Sequence, residues 1–441
     1  MKTISQYFTL FTALALFSFS GILSQDHLMS VVSGPMIGHV SMRSADVWVQ
    51  FDSPGEVALK YWNDEVSGVS ETQVLESSNA NSVIFQLGNL EPGTSYNAVV
   101  VLDGISVSDT IDIKTQVLWD YRMDPPAFKL IAGSCTFIND SIYDRPGEPY
   151  GGEYEIFEAM AQERPDMMLW LGDNVYLREV DVQSYSGYLY RYTHTRATPE
   201  IQGLLQACPN YAILDDHDYG PNDADRSWIH GDWAKEAFKT FWANPSYGAP
   251  AGSNNVGTAF RFNDVEFFLL DNRTNRVNHK NRTQDLQVLG EEQIDWLIAA
   301  MNKSYAPFKI VALGGQFLSD NAKHENMAHY PERQAIIDRI SEERIHGVVF
   351  LTGDRHCTEL SRLELDRGLV IHDLTISPLT SSSYNNTDEV NTLRVDGTVA
   401  AERNYAELNF SGPRKDRLLE IVINNTEGEE LWSVSLRAKD L

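Results

Sequence analysis

The segment Leu169–Leu177, "LWLGDNVYL", begins as a core strand and ends in chemistry. Leu169, Trp170 and Leu171 extend the apolar pair Met167 and Met168, a run that predicts a buried strand. Gly172 and the Asp173-Asn174 pair would close such a strand with a turn. A turn does not ask for Tyr176, a phenol three residues beyond a carboxylate.

The same design recurs along the chain. "FKLIAGSC" (128–135), "YAILDDHD" (211–218), "VEFFLLDNR" (265–273), "FKIVALGGQ" (308–316) and "GVVFLTGDRH" (347–356) each read as an apolar strand followed by polar residues. Their ends are Gly133-Ser-Cys135, Asp215-Asp-His-Asp218, Asp271-Asn-Arg273, Gly314-Gly-Gln316 and Gly353-Asp-Arg-His356. Amphipathic stretches lie between them, among them "EYEIFEAMAQERPD" (153–166), "AKEAFKTFWANP" (234–245), "GEEQIDWLIAAMNKS" (290–304) and "PERQAIIDRISEERI" (331–345). Alternating strand and helix predicts a layered α/β or α/β/β/α domain. "LLEIVINNTEGEELWSVSL" (418–436) reads as a closing hairpin with its turn at Asn425 to Glu429. In open sheets, ligands bind beyond the carboxyl ends of strands, which is where these polar clusters fall.

Upstream the pattern differs. "SADVWVQFDS", "EVALKYWN", "NSVIFQLGNL" and "SYNAVVVLDG" alternate with period two and are separated by Ser53-Pro-Gly55 and Glu91-Pro-Gly93. They predict a small fibronectin- or Ig-like β-sandwich over residues 25–117, with a break at Pro125-Pro126 and a second domain over 118–441. Residues 1–24 read as a secretory signal: Lys2, an apolar stretch from Tyr7 to Phe19, then Ser20, Gly21 and Ser24. The expected location is therefore secreted or periplasmic, with no membrane span in the mature chain.

The chain carries 62 acidic against 35 basic residues, a formal charge of −27, which argues against specific nucleic-acid binding and supplies carboxylates for cations. Its three cysteines, Cys135, Cys208 and Cys357, allow one disulfide, with Cys208–Cys357 as the candidate. A Gly-x-Ser-x-Gly elbow, a P-loop and a His-Glu-x-x-His helix are all missing, and "DYGPNDAD" lacks the EF-hand ligand order. The donors at the strand ends are Asp carboxylates, one or two His, a Tyr and a Cys. Carboxylate with imidazole suits first-row metals, an oxygen-rich half suits Ca2+ or Mg2+, and a phenolate at neutral pH calls for a strong Lewis acid such as Fe(III).

"GSC", "LGDNVY", "DDHD", "LLDNRTNR" and "TGDRH", in that order and followed by "ISPLTSSS" and "NYAELNFSG", resemble the alkaline phosphatase D family of metallophosphoesterases. The resemblance implies an α/β/β/α phosphatase domain and two metals. It gives Cys135, Asp173, Tyr176 and His356 to Fe(III), with Asp173 bridging. Asp216, Asn222 and Asp354 go to a second divalent cation. Asp354 stands where the wider superfamily has His, which favours Ca2+ over zinc. His217 would face the leaving group. Asp218 and Arg355 are further catalytic candidates, and Arg273, Arg276 and Gln316 are candidates for substrate binding. The implied reaction is hydrolysis of a small phosphomonoester or phosphodiester by a metal-bound hydroxide. A phospholipid-cleaving diesterase and a non-catalytic metal-binding surface protein are the alternatives.

Overall fold

The computed structural model describes residues 29–385 and 387–441; the expected signal segment lies outside the described residues. The chain opens with β1 (Val31–Val40), β2 (Ala45–Phe51), β3 (Gly55–Trp62), β4 (Ser67–Val69) and β5 (Gln73–Leu75). It continues through β6 (Ser82–Leu87), β7 (Ser95–Leu102), β8 (Ile105–Ser106) and β9 (Ile111–Lys114). β1-β2-β6 form one sheet and β4-β3-β7-β8 the other, with β5 joined to β3 and β9 to β7. The inward side of the period-two alternation, including Val47, Leu59, Phe85 and Ile113, builds one apolar core between them.

The second unit contains β10 (Phe128–Gly133), β11 (Met167–Leu171), β12 (Asn210–Ile213), β13 (Thr258–Phe262), β14 (Val265–Leu269) and β15 (Lys309–Leu313). β16 (Val348–Thr352), β17 (Glu359–Glu364), β18 (Val370–Thr375), β19 (Asn404–Ser411), β20 (Leu418–Asn425) and β21 (Glu430–Arg437) complete it. They form two sheets, ordered β12-β11-β10-β19-β20-β21 and β13-β14-β15-β16-β18-β17. Within the first, β10, β11 and β12 are parallel; within the second, β14, β15, β16 and β18 are.

The uninterrupted apolar runs follow from burial on both faces. Leu169 and Leu171 point into the core between the sheets, with Phe267, Ile310 and Leu351. Met168 and Trp170 point outward, onto α1 (Ile156–Gln162), α2 (Tyr185–Arg196), α3 (Gln202–Ala207) and α5 (Gly231–Phe241); α4 (Asp216–Tyr219) is a single turn after β12. On the far side, Phe268, Val311 and Phe350 pack against α6 (Glu291–Lys303) and α7 (Pro331–Glu343). The order of layers is α/β/β/α, and the closing hairpin is β20–β21. The break at Pro125-Pro126 is tied down by buried Arg417, which donates to Pro126 O at 3.2 Å and pairs with Asp264 at 2.8 Å.

Candidate metal centre

Parallel strands deliver their carboxyl ends to one edge, and here the edges of the two sheets meet. Cys135 follows β10, Asp173 follows β11, Asp215 and Asp216 follow β12, and Asp354 and His356 follow β16. Gly353 makes the approach possible: a Cβ there would lie 2.7 Å from both Leu171 O and Ser134 Cβ. Around it the backbone is held in the left-handed region at non-glycine residues: φ is +63° at Cys135, +50° at Asp173, +71° at Asp354 and +52° at His356. Such conformations cost on the order of 1–3 kcal/mol each and persist where surrounding structure imposes them, typically at functional sites.

The donors converge. Cys135 Sγ lies 3.6 Å from Asp173 Oδ2, and the Tyr176 hydroxyl lies 3.2 Å from both Asp173 Oδ2 and His356 Nε2. Three overlapping groups each bring one donor atom per residue within 4.8 Å of one another: Cys135–Asp173–His356, Asp173–Asp216–His217 and Asp215–Asp216–Asp354. Asp173 belongs to the first two and Asp216 to the last two, so the donors form a continuous trough. Ser377 Oγ donates to Cys135 Sγ at 3.1 Å and accepts from His356 N–H at 2.9 Å, fixing both. Tyr150 OH sits 3.2 Å from His356 Nδ1, leaving Nε2 for the trough.

The electrostatics of this cluster ask for positive charge. Burial, then the neighbouring Asp216 and Cys135, push Asp173 well above the carboxylate range. Asp354 is pushed up to about 8 by burial, then by Asp215 and Asp216. Burial raises the Cys135 thiol to about 11 and, with Asp173, drives the Tyr176 phenol up as well. Asp216 alone is held low, since His217 and Arg273 outweigh its burial. Asp215 Oδ2 and Asp216 Oδ1 are buried with no hydrogen-bond partner among the described residues. Orphaned carboxylate oxygens beside a thiol, a phenol and two imidazoles fit cations, whose charge opposes the upward shifts of Asp173, Asp354, Cys135 and Tyr176.

Several expected site residues are employed elsewhere. Arg273 is buried, pairing with Asp215, 3.9 Å from Asp216 and 3.5 Å from Glu325, so it braces the carboxylates from behind. Arg276 pairs with the same Glu325 and stacks on Tyr330 at 5.1 Å. Arg355 pairs with Glu389 at 2.8 Å. Gln316 donates to Glu359 at 2.8 Å and Thr375 at 3.0 Å inside the second sheet. Asp218 accepts from Asp215 N–H at 2.8 Å and Asn174 N–H at 3.0 Å, as the N3 member of the capping box that opens α4, with Asp215 as N-cap. Asn222 is exposed; its neighbour Asp223 makes that loop's contact with the cluster, donating its N–H to Asp216 Oδ2 at 2.6 Å. Cys208 and Cys357 are not joined to each other, so the candidate disulfide is not formed. Conversely, the sequence reading missed Tyr150, Ser377 and the direct place of Asp215 in the trough. Asp215 and Ser377 stand in "DDHD" and "ISPLTSSS", which could have pointed to them; nothing in the local sequence sets Tyr150 apart from loop residues.

A cavity of about 980 Å³ opens beside the trough, with Tyr176 and His217 in its wall. Their rings pack at 4.2 Å between centroids.

The family model described as PhoD-like phosphatase matches residues 134–420, and a model described as a domain of unknown function (DUF7800) matches residues 29–117. Alkaline phosphatase D of Bacillus subtilis (strain 168) is 22% identical over 343 residues, 67% of this chain. The match spans 56% of that relative's length. A solved structure of PhoD aligns with a TM-score of 0.73 at 19% identity, covering 91% of this chain and 88% of that one. Purple acid phosphatase PPD1 from yellow lupin (Lupinus luteus) seeds aligns with a TM-score of 0.66 at 10% identity, covering 91% and 74%. At these identities the two structures establish a shared fold.

Proposed function

The chain belongs to the PhoD-like phosphatase family, and we propose that it is a metal-dependent phosphoric ester hydrolase acting at the Asp173 trough. The observation that carries this reading is the position of Asp173, shared between the Cys135–His356 group and the Asp216–His217 group. Cys135, Tyr176 and His356 would hold Fe(III), and Asp216 and Asp354 a second divalent cation, Ca2+ by ligand type, with Asp173 common to both. Asn222, on the cavity rim, is the family's further candidate for the second cation, and Asp215 is an added one. Bound there, the pair would supply positive charge to the phosphoryl oxygens and acidity to the attacking water.

The chain's own residues do the rest. Arg273, Arg276 and Arg355 are committed to carboxylates, so the phosphoryl charge is left to the cations. His217 lines the cavity and meets the departing alcohol oxygen. Burial holds its imidazole below the ordinary value against the opposing pull of Asp216, and its N–H would donate to that oxygen. Phosphomonoesters and phosphodiesters are both proposed substrates. Secretion is proposed on Lys2 and the apolar stretch Tyr7–Phe19, with residues 1–24 removed from the mature chain and the sandwich and phosphatase domains meeting near residues 117 and 118. Among the described residues no helix is long and apolar enough to cross a membrane.

Elemental analysis of the purified protein, paired with turnover of p-nitrophenyl phosphate and bis(p-nitrophenyl) phosphate before and after chelation, tests the reading. We expect iron plus a second cation, and turnover that chelation abolishes. Asp173→Ala should lower kcat/KM by roughly a thousandfold and empty both sites. Undiminished turnover by that variant, or by the metal-free protein, overturns the assignment.

A further inference from the structure

We infer that the cavity beside the trough is a subsite for the alcohol portion of the ester, and that it selects an uncharged apolar or aromatic group. This rests on the phosphoesterase reading above. The cavity's volume of about 980 Å³ is at the upper end of the range for small-molecule sites. The Tyr176–His217 ring pair forms part of its wall, and the Tyr176 hydroxyl is itself 3.2 Å from Asp173. The cavity therefore begins where the trough ends. A phosphoryl group held in the trough has to project its ester substituent past these rings.

What awaits the substituent is mostly carbon. Phe137, Ile142, Tyr150, Leu177 and Val182 line the cavity, and Ile142 is 77% exposed, an apolar side chain left without cover at the rim. Two guanidiniums also line it, and each is already paired: Arg145 with Glu179 at 2.5 Å and Arg178 with Asp144 at 2.6 Å. Arg178 further lies over the Phe137 ring at 4.0 Å. With Glu148 the lining holds three carboxylates against two guanidiniums. A second phosphate or a carboxylate on the alcohol portion would meet surplus negative charge, with buried Arg178 committed to Asp144 and Arg145 exposed beside Glu179 at the surface. An aryl or alkyl group would meet the carbon walls and displace water from them.

The test is a binding measurement, so it stands apart from turnover. Titration calorimetry of the metal-loaded full chain would compare methylphosphonate, phenylphosphonate and phosphonoacetate. We expect phenylphosphonate to bind about tenfold tighter than methylphosphonate or better, and phosphonoacetate no tighter than methylphosphonate. Ile142→Asp, at an exposed position that should fold, is expected to cut the phenyl-over-methyl preference to about twofold. Equal binding of the phenyl and methyl compounds, absence of binding by any of them, tightest binding by phosphonoacetate, or a preference unchanged in Ile142→Asp overturns the subsite. Turnover without the preference counts against the subsite alone. The preference without turnover of any ester counts against the hydrolase reading.

Discussion

Tyr176 stands at the boundary between the trough and the cavity, its hydroxyl on Asp173 and His356 and its ring on His217 and Phe137. Tyr176→Phe keeps the ring contacts, so unfolding should change by only about 1–2 kcal/mol. If the phenolate binds Fe(III), the pure protein is coloured and the variant loses its visible absorption band. A colourless wild type containing iron, or an unaltered band in the variant, removes Tyr176 from the ligands. Asp354 offers a second test. Its folded carboxyl titrates near 8, raised by burial first and then by Asp215 and Asp216, against an ordinary 3.8. Asp218, raised to about 7 by burial, has the same sign. Between the unfolded and folded values the native state holds more protons than the unfolded chain. The contribution of these two carboxyls to metal-free stability is therefore full below about pH 4 and is lost as pH rises toward 8, while buried His39 and His372, both lowered to about 4, act with the opposite sign. A cation replaces those protons, so the gap between Tm of the loaded and Tm of the chelated protein should widen across that window, the histidines being common to both. Parallel thermal melts at several pH values check it.

Among the elements, the turn from β16 to β17 has no room for a side chain at Gly353. Gly353→Ala would drive a methyl against Leu171 O and Ser134, pushing Asp354 and His356 away from Cys135 and Asp173. The expected cost is about 1–3 kcal/mol, with metal affinity reduced at least about tenfold. Wild-type metal content and Tm in this variant would show that the two edges are not closely apposed. The elements also show where sequence reading works. β11 and β16 are contiguous apolar runs and were legible at once. α2, "YSGYLYRYTHTR", was not, because it has no apolar stripe: it buries Tyr188, Arg191 and Tyr192 against polar partners, Arg191 Nε on Asp181 at 2.8 Å and the Tyr188 hydroxyl on Tyr219 O at 3.0 Å. Those partners come from other segments, so local periodicity has nothing to report. Asp218, which completes a capping box, is ambiguous in sequence for a similar reason. A capping carboxylate and a catalytic one look alike until their hydrogen bonds are seen.

At the scale of the molecule, the sandwich is packed onto the phosphatase unit. Trp48 of β2 is fully buried in the helical layer's core, donates to Thr240 O at 2.9 Å and lies 5.3 Å from the Arg196 guanidinium. Arg196 in turn lies over Trp242 at 3.8 Å. Trp48→Ala should destabilise by about 3–5 kcal/mol and uncouple the two units, turning one thermal transition into two in calorimetry. A single transition at the wild-type Tm would mean the units do not depend on this contact. By itself the sequence determined the strand runs, the period-two block before them and the order of donor types at the strand ends. Those are properties of neighbouring residues. They sufficed for the α/β/β/α layering and the sandwich, and they named Cys135, Asp173, Tyr176 and His356, which the fold brings together. Only the tertiary structure decided which polar residues face the trough and which neutralise one another. Arg273, Arg276, Gln316 and Asp218 turned to carboxylates, a sheet and a helix cap, while Tyr150 and Asp215 joined the site. The reason is physical: a buried charge goes to whichever partner packing brings within about 3 Å, and that partner lies tens of residues away in the chain.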